Sequence, residues 1–257
     1  MQAPFQPFPD FDPDNDISSL ERATLDAVAP PEISEIDGWL LPFDNSTIGR
    51  ATSAVPLRHH DLHADQVSVI EECYRAHELR PAFRVADVAS LAPLHLALKG
   101  LGYQPEQPTL VQISSIKAMR AICLAAPACV LASPEPQWSC VYIGKGFDPV
   151  DGAHRVQALS RSQHAVYAYV ELGGQSVAAG TAALSRGWCS IHGMRTVARW
   201  RNQGLASRIL GGLADTAAAR GVDRVFLQVE ESNTAALALY RSAGFKTAWR
   251  YHYWRHP

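Results

Sequence analysis

Apolar residues recur at Leu205, Ile209, Leu213 and Ala217, the spacing of an amphipathic helix running from Leu205 to Arg220. The run Val225-Phe226-Leu227-Gln228-Val229 then predicts a buried strand. Thr234 to Ala243 predicts a second helix stopped by Gly244, and Phe245 to Trp254 one or two closing strands. Before these, a helix at about 150–162 leads into a hairpin of Ala165–Leu172 and Ser176–Leu184 across Gly173-Gly174-Gln175, followed by a strand at Trp188–Thr196. The first half alternates in the same way. It predicts helices at about 17–28, at 64–79 with Val67, Ile70 and Tyr74 on one face, and at 92–101. Its predicted strands are Gly38–Leu41, Ile48–Leu57, Pro81–Ala86 and Thr109–Ile113. Alternating helices and strands predict the α/β class, with a mixed central sheet flanked by helices. The proline-bearing stretch from Ala126 to Pro136 marks a boundary between lobes at 1–133 and 134–257.

The order helix, strand, helix, Gly-aromatic, strand occurs twice, at about 64–113 and 205–254. With Gly102 laid on Gly244, Tyr103 falls on Phe245. The polar positions do not repeat: Asn233 falls on Leu91 and Tyr240 on Leu98, and no glycine lies between Gly49 and Gly100. Whatever chemistry the second copy carries, the first cannot share.

Composition narrows the class. Hydrophobic residues make up 47% and charged residues 19% of 257, which excludes wholesale disorder. No apolar run approaches the roughly 18 residues of a membrane span. Met1 to Pro9 has neither the basic residues nor the apolar stretch of a secretory signal, so it reads as a loose tail on a cytoplasmic protein. Five cysteines without a Cys-x-x-Cys pair favour reduced thiols, and the cluster His59, His60, His63 reads as a solvated loop, so no metal is expected. Residues 1–135 hold nine Lys and Arg against eighteen Asp and Glu, whereas 136–257 hold fourteen against seven. The basic half could attract a polyanion, although a pI near 6.5 argues against a dedicated nucleic-acid binder.

Arg201-Asn202-Gln203-Gly204-Leu205-Ala206 sits between a strand and an amphipathic helix. A helix start leaves N–H groups unpaired and carries partial positive charge, so an anion can dock there. Gly204 lets the backbone approach closely, Ala206 is small, and Ser207 adds a hydroxyl. Asn233 reads as a helix cap, with Ser232 as its competitor. Tyr240 lies two helical turns further on, where it can face the same cleft or pack in the core.

Together, Arg201 to Ala206, Asn233, Leu239-Tyr240 and Gly244-Phe245 closely resemble the GNAT superfamily of N-acetyltransferases, whose acetyl-CoA signature is Arg/Gln-x-x-Gly-x-Gly/Ala. The resemblance is strong over about 160–254. Over the first lobe, Asp37-Gly38-Trp39-Leu40-Leu41 looks like a bacterial subgroup with a degenerate GNAT-like N-terminal half, which implies two GNAT-like lobes in tandem. It also implies that Met194, Arg195 and Thr196 bond the pantetheine arm of acetyl-CoA through their backbone. Amides from Asn202 through Gln203, Gly204, Leu205 and Ala206 to Ser207 would hold the pyrophosphate. Asn233 would contact the pantetheine region, and Tyr240 would protonate the leaving thiolate after direct attack by an amine. Members related to the ribosomal-protein alanine acetyltransferases carry a Glu as base where this chain has Gln228. His192, Glu230, Glu231 or a water chain stay open for that role. The acceptor is expected to be an amine-bearing small molecule, peptide or protein, with no nucleic acid or membrane partner. A cationic acceptor would suit a site lined partly by the acidic half. A non-catalytic acyl-CoA sensor is the alternative, since it needs the turn but not Tyr240.

Overall fold

The computed structural model describes residues 11–144 and 146–257, so the tail read at Met1–Pro9 lies outside the described residues. The chain opens with α1 (Pro13–Val28), β1 (Glu32–Ile36), β2 (Trp39–Phe43), a 3-10 turn at Gly49–Ala51 and β3 (Val55–Pro56). It continues through α2 (Gln66–Ala76), β4 (Phe83–Ala86), α3 (Ala92–Gly100), β5 (Gln104–Ser115), α4 (Ile116–Ala121), β6 (Cys129–Leu131) and α5 (Pro136–Ser139). The remainder is α6 (Pro149–Arg161), β7 (Ala165–Leu172), β8 (Gln175–Ser185), β9 (Trp188–Thr196), α7 (Leu205–Ala219), β10 (Arg224–Glu230), α8 (Thr234–Ser242) and β11 (Lys246–Arg255).

Eight strands form one sheet in the order β4-β11-β5-β10-β9-β8-β7-β6, and β1-β2-β3 form a small second sheet. The repeat in the sequence appears as α2-β4-α3-β5 and α7-β10-α8-β11, with the last strand of each copy exchanged. β5 pairs with β10 of the second copy, β11 pairs with β4 of the first, and the two exchanged strands pair with each other. The sheet therefore runs unbroken past residue 134. So does the larger core, in which Trp39, Phe83 and Tyr103 pack with Trp188, Phe226 and Trp249. A second core lies under α7, where Ile209, Leu213 and Ala217 meet Val166, Val225 and Leu227.

The charge asymmetry is spent inside the molecule. Asp16–Arg224, Asp26–Arg186, Asp44–Arg161, Asp87–Arg250 and Glu106–Arg255 each join an acid of the first half to an arginine of the second. The three exposed pairs contribute at most about 1 kcal/mol each, whereas Asp16 and Asp44 are buried and depend on their arginines.

Ile48–Leu57 is not the strand its pattern predicts. The Ser53 hydroxyl donates to the Gly49 carbonyl at 2.6 Å, closing a helical turn, and the segment pairs only from Ala54, which bridges to Phe83, through Val55–Pro56 in the small sheet. Side chain to backbone bonding of this kind competes with strand pairing. The Ala126–Pro136 stretch contributes β6, which pairs with β7 at the sheet edge.

Candidate active site

β9 and β10 pair in parallel from Trp188 opposite Arg224 to Ile191 opposite Leu227, and no further. Beyond that point β9 runs on to Thr196 and β10 to Glu230, so the two strands splay. A bulge starts the divergence. On β9, Gly193 and Met194 lie between His192 and Arg195, while on β8 only Gly180 lies between their partners Thr181 and Ala179. Gly193 adopts a φ of +61°, and a Cβ there would come within 2.8 Å of the Tyr142 hydroxyl, which donates to the Gly193 carbonyl at 2.7 Å. The splay opens a cleft of about 1130 Å³.

At one end of the cleft, α7 starts at Gly204, whose φ of +73° is suited to glycine, with no side chain capping the helix. None of the backbone N–H groups from Asn202 to Ser207 finds an acceptor among the described residues. These donors sit at the positive end of a 15-residue helix, where a phosphate is stabilised. The Ser207 hydroxyl is turned back onto the Gly204 carbonyl at 2.7 Å, and Arg201 donates through Nε to the Thr196 carbonyl at 3.3 Å. Of the residues read from the sequence as coenzyme contacts, Gln203 does not line the cleft and the others do. Arg195 commits its guanidinium to Asp151 at 2.6 Å and stacks over Phe147, which leaves its backbone for a ligand.

Asn233 caps α8: its Oδ1 accepts from the Ala236 N–H at 3.1 Å, leaving the Nδ2 group for a ligand. Tyr240 is buried against Phe245, and burial pushes its phenol up to about 12. Its hydroxyl makes no hydrogen bond to a described residue, and the side chain lines the cleft.

The floor lies at His192 and Gln228, just beyond the last paired residues. His192 is buried with an unpartnered Nε2. Burial first, and then the charge of Arg50, hold its pKa well below the ordinary 6.5, so the ring is neutral. Gln228 is fixed at both ends: Nε2 donates to the Thr24 hydroxyl and Oε1 accepts from the Tyr251 hydroxyl, each at 2.9 Å. The Thr24 hydroxyl donates to the Leu20 carbonyl, so toward residue 228 it can only accept. A glutamate there would meet a lone pair, and the N-terminal helix thus selects the amide. Beneath Tyr251, the buried Arg84 and Glu21 pair at 2.6 Å, with Arg84 5.3 Å from the Tyr251 ring centre. Of the remaining acids weighed as base, Glu230 lines the cleft and accepts from Gln107, whereas Glu231 pairs with Arg250 outside it.

The first half does line the cleft, but not with acid. It contributes the loop from Ser46 to Thr52 together with Gln107 and Thr109, and none of its carboxylates. The expectation of an acidic acceptor site therefore fails, because those carboxylates pair with arginines of either half or face solvent. Sequence reasoning also missed Arg50, Tyr251 and Tyr253. The signal lay in the repeat, which hints that the copies touch without saying which strand pairs with which.

The model of a family described as "Probable histone acetyltransferase Rv0428c C-terminal" matches residues 14–254. The probable histone acetyltransferase Rv0428c of Mycobacterium tuberculosis is 28% identical over 231 residues, covering 90% of this chain and 70% of that protein. Among solved structures, a GCN5-related N-acetyltransferase from Kribbella flavida superposes with a TM-score of 0.68 at 15% identity, covering 94% of this chain and 95% of its own. A tandem GNAT protein from the clavulanic acid biosynthesis pathway gives 0.59 at 12% identity, covering 95% and 96%. At such identities the structural likeness speaks for the fold alone.

Proposed function

Because this chain belongs to the family of the Rv0428c C-terminal domain, and with it to the GNAT N-acetyltransferases, we propose that it moves the acetyl group of acetyl-CoA to a primary amine by direct attack, in the cytoplasm. One observation carries the reading: the open amides of Asn202–Ser207, the splayed edges of β9 and β10 and the unpartnered Tyr240 hydroxyl share one cleft. The amides at the start of α7 suit a pyrophosphate, and the edge of Met194–Thr196 left open by β10, opposite its pairing with β8, suits the amide groups of a pantetheine arm. When bound, acetyl-CoA supplies the thioester carbon that the amine attacks.

Tyr240 is the general acid. A phenol near 12 stays protonated at neutral pH and donates to the departing sulfur as charge develops on it. Complete transfer to a thiolate with an ordinary pKa of about 8.5 would be uphill, so Tyr240 acts through a hydrogen bond that tightens as the C–S bond breaks and charge grows on the sulfur. His192 offers a neutral, unpartnered Nε2 for the proton of the attacking nitrogen. A weak base suffices, since that nitrogen becomes far more acidic once the C–N bond forms. Most of the rate then comes from positioning.

Release of coenzyme A thiol from acetyl-CoA, followed across a panel of alkylamines, amino acids and lysine peptides, tests the proposal. Turnover with at least one class is expected. A protein that binds acetyl-CoA yet releases no thiol with any amine is a sensor, and the proposal falls.

A further inference from the structure

Among the described residues the cleft is lined by five arginines, Arg50, Arg155, Arg195, Arg201 and Arg255, against the single carboxylate of Glu230. Most of these cations are already engaged. Arg155 and Arg195 share Asp151, Arg255 pairs with Glu106, and Arg201 is tethered to a carbonyl. Arg50 has neither an ion pair nor a hydrogen bond among the described residues, and its Nε is shut off from solvent. It is held firmly all the same. The flanking Ile48 and Ala51 pack with Leu25, Val28 and Ala158, and Gly49 lies against the Tyr253 ring. Its charge is close enough to influence the titration of His192, Tyr251 and Glu21.

Counting charges at the floor leaves a surplus. Glu21 is fully buried and paired with Arg84, which leaves the Arg50 guanidinium without a carboxylate of its own among the described residues. A half-buried cation lacking a counter-ion is costly, and the cost is removed by an anion brought from outside. The phosphates of coenzyme A are poorly placed to be that anion. They belong at the α7 turn, whereas β9 alone runs roughly 13 Å from His192 to Thr196 before that turn begins. An anionic group that reaches the floor at His192 therefore comes from the acceptor.

We propose that Arg50 binds a carboxylate on the acceptor, so that the substrate is an amine carrying an acidic group and not a basic peptide. This rests on the transferase reading of the same cleft. A planar carboxylate matches the guanidinium fork and fixes the far end of the acceptor, which orients its amine.

Matched pairs test the proposal: ω-amino acids of three to six carbons against alkylamines of equal length, assayed by thiol release. The wild type is expected to favour the amino acid in kcat/KM by about 10- to 100-fold, the range of a charge-assisted hydrogen-bonded contact. Arg50→Gln should reduce that ratio to near one and Arg50→Lys should keep part of it, with thermal melting and acetyl-CoA titration reporting on the fold. Equal use of both members by the wild type overturns the proposal, as does an Arg50→Gln variant that loses both equally. Calorimetric titration of 5-aminopentanoate and pentylamine into the protein with coenzyme A reads the same contact without turnover. Tighter binding of the amino acid, lost in Arg50→Gln, supports the proposal, and equal binding overturns it. Selective binding without thiol release from any amine would sink the transferase reading alone.

Discussion

Replacing Tyr240 by Phe removes one oxygen atom from the cleft and leaves the packing of the ring against Phe245 in place. Because the hydroxyl bonds to no described residue, its loss strands no partner, and the fold should change by no more than about 0.5 kcal/mol. The catalytic loss is of another size. A positioned general acid contributes about 10²- to 10⁴-fold, or roughly 2.7–5.5 kcal/mol at 1.36 kcal/mol per tenfold. Thiol release at saturating acetyl-CoA and acceptor should therefore show kcat down by at least two orders of magnitude. Acetyl-CoA affinity should hold within about twofold, since its proposed contacts are backbone amides. With the phenol near 12, the wild type should show no falling limb in kcat from this residue below about pH 11. A Tyr240→Phe enzyme that keeps more than half of the wild-type kcat refutes the general-acid assignment. A fall in melting temperature that parallels the fall in rate would trace the loss to packing.

Gly204→Ala forces a side chain into the left-handed region at a cost of about 1–2 kcal/mol, and calorimetry should show acetyl-CoA binding at least tenfold weaker with the acceptor KM little changed. Glu21→Gln leaves Arg84 buried and unpaired, so urea unfolding should report a loss of about 3–5 kcal/mol, while the double change Glu21→Leu with Arg84→Met costs less. His59 is held at about 4 by burial first and then by the charges of His60 and Arg84. The unfolded chain protonates it near 6.5, so the stability tied to its neutral form is complete above that pH. That stability is lost as pH falls toward 4, by about 3 kcal/mol. His192 acts with the same sign. Urea midpoints measured between pH 4 and 7 should show the slope, and His59→Gln should flatten it.

Helices and strands of the second half were legible because their periodicities and stops agree: α7 carries its apolar residues at helical spacing, and Gly173-Gly174 pins the hairpin of β7 and β8. The turn at Gly204 and the Tyr240 side chain were legible for the same reason, since backbone freedom and helical phase are local properties. Arg50 was not. Nothing near Ser46–Thr52 distinguishes an arginine over a cleft from one in solvent, and its meaning comes from Tyr253, about 200 residues away. The acidic first half misled for a related reason. Composition counts charges but cannot tell that Asp16, Asp26 and Asp44 each meet an arginine of the other half.

The exchange of β5 and β11 also governs how the molecule is made. β5 emerges from the ribosome before either of its neighbours, β10 and β11, which come more than 100 residues later. At 5–20 residues per second, β5 waits roughly 7–25 s with at least one open edge before β11 arrives. Open edges of that kind invite pairing with another nascent chain. The cleft wall holding Tyr251 and Tyr253 is set only when β11 docks, so one strand both closes that wall and covers the open edge of β5.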